Sequence, residues 1–206
     1  MTALADVGTL NRAERDEGEA LRADLYGLLA VLLSAPPTVK QLSLAADLSG
    51  DDSALGSAVA GLATAAAGAD AVSVEREYNA LFIGLGRGAL LPYASYYLTG
   101  FLNEKPLAIL RSHMASLGIA RNEDVHEPED HIASLCEMMA GLIRGDFAAP
   151  APLAEQDTFF KTHIGPWAGH FFADLEGARP ARFYVHVGRI GRIFMDIEYE
   201  AFRMLR

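Results

Sequence analysis

The chain has 206 residues, 27 acidic against 17 basic side chains, a formal net charge of −10 and a single cysteine. A domain of that size buries roughly 70% of its unfolded surface and folds without covalent staples. Cys136 alone excludes an internal disulfide and any Cys-x-x-Cys metal or redox motif, and the acidic balance argues against nucleic acid, whose phosphate backbone is met by clustered Lys and Arg.

At the N-terminus the charges fall at 12–24, ahead of an apolar run at 25–33. That run is too short to span a bilayer, and the acidic residues before it do not suit the basic leader of a signal peptide. The expectation is a cytoplasmic protein with no stable membrane insertion. Leu21, Leu25, Leu28, Leu29, Leu32 and Leu33 recur at three- and four-residue intervals and predict a helix that Pro36-Pro37 ends. Alanine-rich helices are expected at 38–47 and 53–67. Val74, Tyr78, Leu81 and Phe82 then mark a helix running into a loop at 84–93 that carries Gly84, Gly86 and Gly88. No strand precedes that loop and the Lys-Ser/Thr of a P-loop is missing, so the glycines do not make a phosphate cradle.

Further helices are predicted at 94–101, 106–117, 128–145, 153–163, 166–177 and 181–204. Residues 182–188 come closest to strand alternation, yet Phe183, Val187, Ile190, Phe194, Ile197 and Phe202 continue at helical spacing. Gly188 and Gly191 inside that helix each cost about 1 kcal/mol relative to alanine, which a closely packed neighbouring helix would explain. Residues 146–155, Asp-Phe-Ala-Ala-Pro-Ala-Pro-Leu-Ala-Glu, are the most linker-like stretch. They could hinge two lobes or let the last helices exchange between subunits, giving a monomer or a domain-exchanged dimer. The fold class is all-α, a single-domain bundle of roughly ten helices.

The stretch Val-His-Glu-Pro-Glu-Asp-His at 125–131 gathers two histidines and three carboxylates ahead of an apolar helical stripe. A zinc-protease motif needs His-Glu-x-x-His within one continuous helix, and Pro128 breaks that geometry. Pro128 fits the first position of a helix, with Glu129 and Asp130 in its first turn facing the exposed N–H groups, which leaves His126 outside and His131 inside. His131 is not explained by a helix start, since the same dipole disfavours imidazolium unless Asp130 or Glu127 compensates. Ser134 and Cys136 lack the surroundings of an activated nucleophile. No catalytic residue, metal ligand or cofactor is assigned.

Three segments carry a resemblance: Glu77–Leu98 (EYNALFIGLGRGALLPYASYYL), Glu127–Ile143 (EPEDHIASLCEMMAGLI) and Gln156–Glu176 (QDTFFKTHIGPWAGHFFADLE). In this order and separation the chain resembles the TorD/DmsD-type redox-enzyme maturation chaperones. The resemblance implies an all-helical cytoplasmic protein without catalytic activity. It would bind the twin-arginine leader peptide of an apo molybdenum-cofactor oxidoreductase, and often the enzyme body, holding export back until the cofactor is inserted.

Matched position by position, the resemblance places the leader site on Tyr78, Leu81, Pro92, Tyr93, Ser95, Glu127, Pro128, Asp130 and His131. Glu127 and Asp130 would face the arginines, His131 would supply hydrogen bonds, and Tyr78, Leu81, Pro92 and Tyr93 would form an apolar wall. Plain core packing is an equal reading for Tyr78 and Leu81. Some relatives carry an aromatic in the glycine loop where this chain has Gly86 and Arg87. In the third segment Phe159, Trp167, Phe171 and Leu175 have the spacing of a packing face, Pro166 starts a helix, and His163 satisfies a helix end. The client resembles those of members associated with formate dehydrogenases, with sulfoxide, amine-oxide and nitrate reductases open as well. Two other functions compete: a general helical adaptor for another amphipathic peptide, and a metal-dependent enzyme using the His-carboxylate cluster.

Overall fold

The computed structural model describes residues 2–84, 88–121 and 127–204, with side chains from residue 17 onward, so Gly86, Arg87 and His126 lie outside the described residues. Among the described residues ten α-helices follow one another: α1 (Thr2–Ser34), α2 (Val39–Ala46), α3 (Ala54–Ala67), α4 (Ala71–Tyr78), α5 (Ala94–Thr99), α6 (Lys105–Ser116), α7 (Ile132–Arg144), α8 (Leu153–Phe159), α9 (Ala168–Glu176) and α10 (Tyr184–Arg203). Among the described residues there is no strand, only one isolated antiparallel bridge between Tyr93 and His131. None of these helices is by itself long and apolar enough to cross a membrane.

Local chemistry sets most of the boundaries. Thr38 and Gln41 form a reciprocal capping box on α2, and the side chains of Ser53 and Asp70 accept the first free N–H groups of α3 and α4. At the end of α7, Gly145 takes a left-handed φ of +83°, and the N–H groups of Gly145 and Asp146 both donate to the Gly141 carbonyl. Two helices do not end cleanly. α4 runs on into a π-helical turn, Asn79–Ile83, and α8 into another, Phe160–Ile164. Each lies in one of the segments that carry the family resemblance, and wider turns of this kind recur at functional sites.

α7 is the central helix, with ten of its 13 residues buried, and α1 packs along it. Arg22 on α1 donates from Nε and NH2 to the two oxygens of Glu198 on α10, at 2.7 Å each, and the Tyr26 hydroxyl adds a third bond at 2.9 Å. Glu198 is 1% exposed, so its charge is tolerable only because both oxygens are paired.

The glycines of α10 have the predicted cause. A Cβ on Gly188 would lie 2.5 Å from the Glu176 backbone nitrogen, and one on Gly191 2.2 Å from the Phe172 ring, both on α9. Phe159, Trp167, Phe171 and Leu175 are all buried, as their spacing predicts. Pro166 does not start α9: it lies in the turn two residues before the helix begins at Ala168. His163 does not satisfy a helix end: its Nε2 sits 2.8 Å from Nδ1 of His113, joining α6 to the second π turn. Residues 146–155 fold back on α7, where the Ala151 N–H donates to the Leu142 carbonyl at 2.8 Å.

Candidate functional site

The first two resembling segments meet at the isolated bridge. The Ile132 N–H donates to the Pro92 carbonyl at 2.8 Å, and the Ala94 N–H to the Asp130 carbonyl at 3.0 Å. The Asp130 carboxylate completes the junction, accepting from the Ser95 N–H at 2.8 Å and from the Ser95 hydroxyl. Asp130 thus caps α5 from across the molecule, answering the exposed N–H groups of a helix whose own first residues supply no side-chain cap.

This junction corrects the expected start of α7. The helix begins at Ile132, not Pro128; residues 128–130 form a turn, closed by the His131 N–H on the Pro128 carbonyl at 3.1 Å. His131 is the N-cap, extended at ψ 139°, with Nδ1 accepting the Ala133 N–H at 3.1 Å. Pairing with residues 92–95 holds 130 and 131 out of the helix, and this long-range bond outweighs the local preference of Pro128 for a first helical turn.

The carboxylates divide accordingly. Glu129 is buried and takes two bonds from Arg111, at 2.8 and 3.1 Å, with Arg121 3.6 Å away; burial opposes its charge, but the two arginines prevail and hold its carboxyl below the usual range. Glu77, at the head of the first segment, accepts the N–H groups of Arg182, Phe183 and Tyr184 at 2.8, 3.1 and 2.7 Å and so caps α10. Glu127 is exposed, and its partner is the Tyr93 hydroxyl, which donates to Oε2.

Above this junction lies a half-open cavity of about 420 Å³. Of the nine residues expected at the site, Tyr78, Pro92, Tyr93, Glu127 and His131 line it together. The other four do not. Leu81 is fully buried in the core, Ser95 and Asp130 bond each other inside, and Pro128 stands in the turn beside the cavity. Asp130 therefore does not face this cavity as the sequence pattern suggested; its Oδ2 is committed to α5, and its buried Oδ1 has no partner among the described residues.

Sequence reasoning missed the opposite wall. It comes from α1, with Gly27, Ala30, Val31 and Ser34, and from farther along α7, with Glu137, Ala140 and Arg144. Only the three- and four-residue spacing of small residues in α1 hinted at a close approach, and spacing alone cannot tell a packed face from an open one.

Burial first, and then the charge of Glu127, push the Tyr93 hydroxyl well above its ordinary pKa and that of Tyr78 up to about 12. Burial also drives His131 down to about 4, against the opposing pull of Glu127 and Asp130. The ring is neutral at pH 7, and because Nδ1 accepts the cap bond, Nε2 carries the proton. Among the described residues Nε2–H has no acceptor. Cys136 is fully buried, which raises its thiol far above the reactive range, and no three His, Cys, Asp or Glu side chains among the described residues group as a metal site. The arrangement suits recognition: exposed carboxylates at the mouth, a hydrogen-bond donor inside, and apolar walls.

Residues 49–173, more than half of the chain, match the family described as nitrate reductase delta subunit. The chain is 27% identical over 140 residues to the chaperone protein TorD of Vibrio atlanticus, covering 63% of this chain and 65% of that protein, just under two thirds of its length. It is 29% identical over 173 residues to the TorD of Aliivibrio fischeri, covering 73% and 80%. The fold is similar to the crystal structure of a redox enzyme maturation protein from Archaeoglobus fulgidus, with a TM-score of 0.56 and 21% identity over 85% of this chain and 93% of that one. The chain belongs to the nitrate reductase delta subunit family and is similar in sequence to chaperone proteins named TorD.

Proposed function

We propose that this protein is a cytoplasmic chaperone that binds the twin-arginine leader of an apo molybdoenzyme, with part of the enzyme body, and releases it for export after cofactor insertion. The carrying observation is the cavity at the junction of the first two segments, where Glu127 and Glu137 stand exposed beside Tyr78, Phe82 and Ile83. A leader joins guanidinium groups to an apolar segment, and carboxylates beside an apolar surface are the complementary receptor. The buried histidine supplies a fixed Nε2–H donor for a peptide carbonyl. Clients related to formate dehydrogenases are the first to test. Titration calorimetry with a synthetic leader, alone and with both arginines replaced by alanine, tests the reading. Binding that depends on the arginines is expected; equal binding of the two peptides would instead mark a general adaptor for amphipathic segments.

A further inference from the structure

The cavity follows the seam of α1 and α7. On α7 its wall runs from His131 through Ser134, Glu137 and Ala140 to Arg144, one helical face whose ends lie about 20 Å apart at 1.5 Å per residue. On α1 the facing residues Gly27, Ala30 and Ser34 are small, with Val31 among them, so little side chain fills the seam between the two helices there. The cavity volume of about 420 Å³ is far too small for a whole helix of that length, and suits the side chains along one face of a helix laid upon it.

The two ends differ. Glu127 is exposed just ahead of α7 and Glu137 is exposed midway along it; Arg121 lines an adjoining cavity with both, but among the described residues no cation of this cavity's own wall stands at that end. At the far end stands Arg144, the only cation lining the cavity among the described residues. Its Nη2 donates to the Ala23 carbonyl at 3.1 Å and to Asp24 at 2.8 Å, and Asp146 lines the same cavity. Gly27 lets the guanidinium lie flat on α1, since a Cβ there would sit 3.3 Å from Nη2. Asp24 is thereby already committed to a resident arginine, and a guest arginine arriving at that end would find Asp146 but also the like charge of Arg144.

Resting on the leader-binding reading, we propose that the α1–α7 valley receives its guest as a helix of fixed direction, and that Arg144 determines that direction. The guest arginines lie at Glu127 and Glu137. The apolar segment that follows them crosses the small-residue floor, and its last carbonyls, which have no partner within their own helix, take the remaining guanidinium donors of Arg144. The guest runs parallel to α7.

Leader peptides bearing a benzophenone at one end or the other, crosslinked to the full chain and mapped by mass spectrometry, read the direction. The N-terminal probe should label the neighbourhood of Tyr93 and Glu137, and the C-terminal probe that of residues 23–31. A peptide of the same composition with the arginines placed after the apolar segment should bind about tenfold more weakly, the scale of one charge-assisted contact. Arg144→Glu should narrow that difference and Arg144→Lys should keep it. Reversed labelling, or equal affinity for the two peptide orders on the unaltered protein, overturns the inference. Neither result touches the leader reading so long as binding still depends on the arginines, whereas loss of that dependence sinks the leader reading itself.

Discussion

The α9–α10 interface and the α1–α7 valley are both built where helices bring small residues together, yet one is shut and the other open. In the first, Gly188 and Gly191 let α10 settle against the backbone of Glu176 and the ring of Phe172, and the missing side chains are replaced by the neighbour itself. In the second, Gly27, Ala30 and Ser34 lie beside a void, and what stands over Gly27 is the guanidinium of Arg144. A small residue that meets backbone or a ring is a packing device. One that meets only the end of a long charged side chain leaves room for a visitor.

Substitution at the two kinds of glycine should separate them most sharply. Gly188→Ala places a Cβ 2.5 Å from a backbone nitrogen that cannot step aside, and should cost about 3 kcal/mol in thermal or urea denaturation. Gly27→Ala meets only a flexible side-chain end at 3.3 Å, and should leave stability unchanged or raise it by up to about 1 kcal/mol through helix propensity while disturbing peptide binding. Equal losses in the two variants would erase the distinction between the faces.

Beneath the valley, the inward carboxylate should behave unlike the outward one. Asp130→Ala strips the acceptor from the buried N–H and hydroxyl of Ser95, so a loss of about 2 kcal/mol in folding stability is expected, accompanied by weaker peptide binding because the cavity wall loosens. Unfolding by denaturant checks it. An unaltered midpoint would mean that the junction is held by its backbone bonds alone.

The pH dependence of folding tests the histidine at the same junction. The folded-state pKa of His131 is about 4, below its ordinary 6.5, so the unfolded chain takes up a proton first as the pH falls. Its stabilising contribution is complete above about pH 6.5 and is lost between 6.5 and 4, on the order of 2 kcal/mol by pH 4.5. Asn at this position keeps a helix cap without titrating, so in His131→Asn the stability curve should be flatter across that window. An unchanged slope would assign the acid sensitivity to other groups, His163 being the first of them, since burial and then His113 also hold it near 4.

Glu127→Gln should have the smallest effect on the fold and a selective one on binding. Its carboxylate is exposed and bonded to Tyr93, so the melting temperature should stay in place while leader affinity falls by about 1 kcal/mol, several-fold in Kd. Because the pair it forms with an arginine stands in solvent, raising the salt concentration should weaken binding to the unaltered protein more than to the variant.

Much of the helical plan was legible in the chain. Leucine spacing in α1, the prolines after it, and the apolar face of α10 with its two glycines all act within a few residues, where local geometry decides. The π turn at Asn79–Ile83 was not legible, because its widened backbone is sustained by contacts such as the Leu90 N–H on the Leu81 carbonyl at 2.8 Å, across a loop. The start of α7 was misplaced for the same reason. Pro128, Glu129 and Asp130 have the local chemistry of a first helical turn, and it is Pro92, Ala94 and Ser95, over 30 residues earlier, that hold Asp130 and His131 outside.

The sequence by itself determined an all-α chain with an acidic surface, a family likeness and the cluster of residues around which a binding site is built. Which carboxylate faces outward was decided only by the tertiary structure. Glu77, Glu129 and Asp130 are the same chemical group as Glu127, and each of the three turned inward because a set of donors distant in sequence came within bonding distance: the N–H groups of α10, the guanidinium groups of Arg111 and Arg121, and Ser95. A carboxylate buries only where such donors repay its lost hydration, and their positions are a property of the assembled helices rather than of any local stretch of chain.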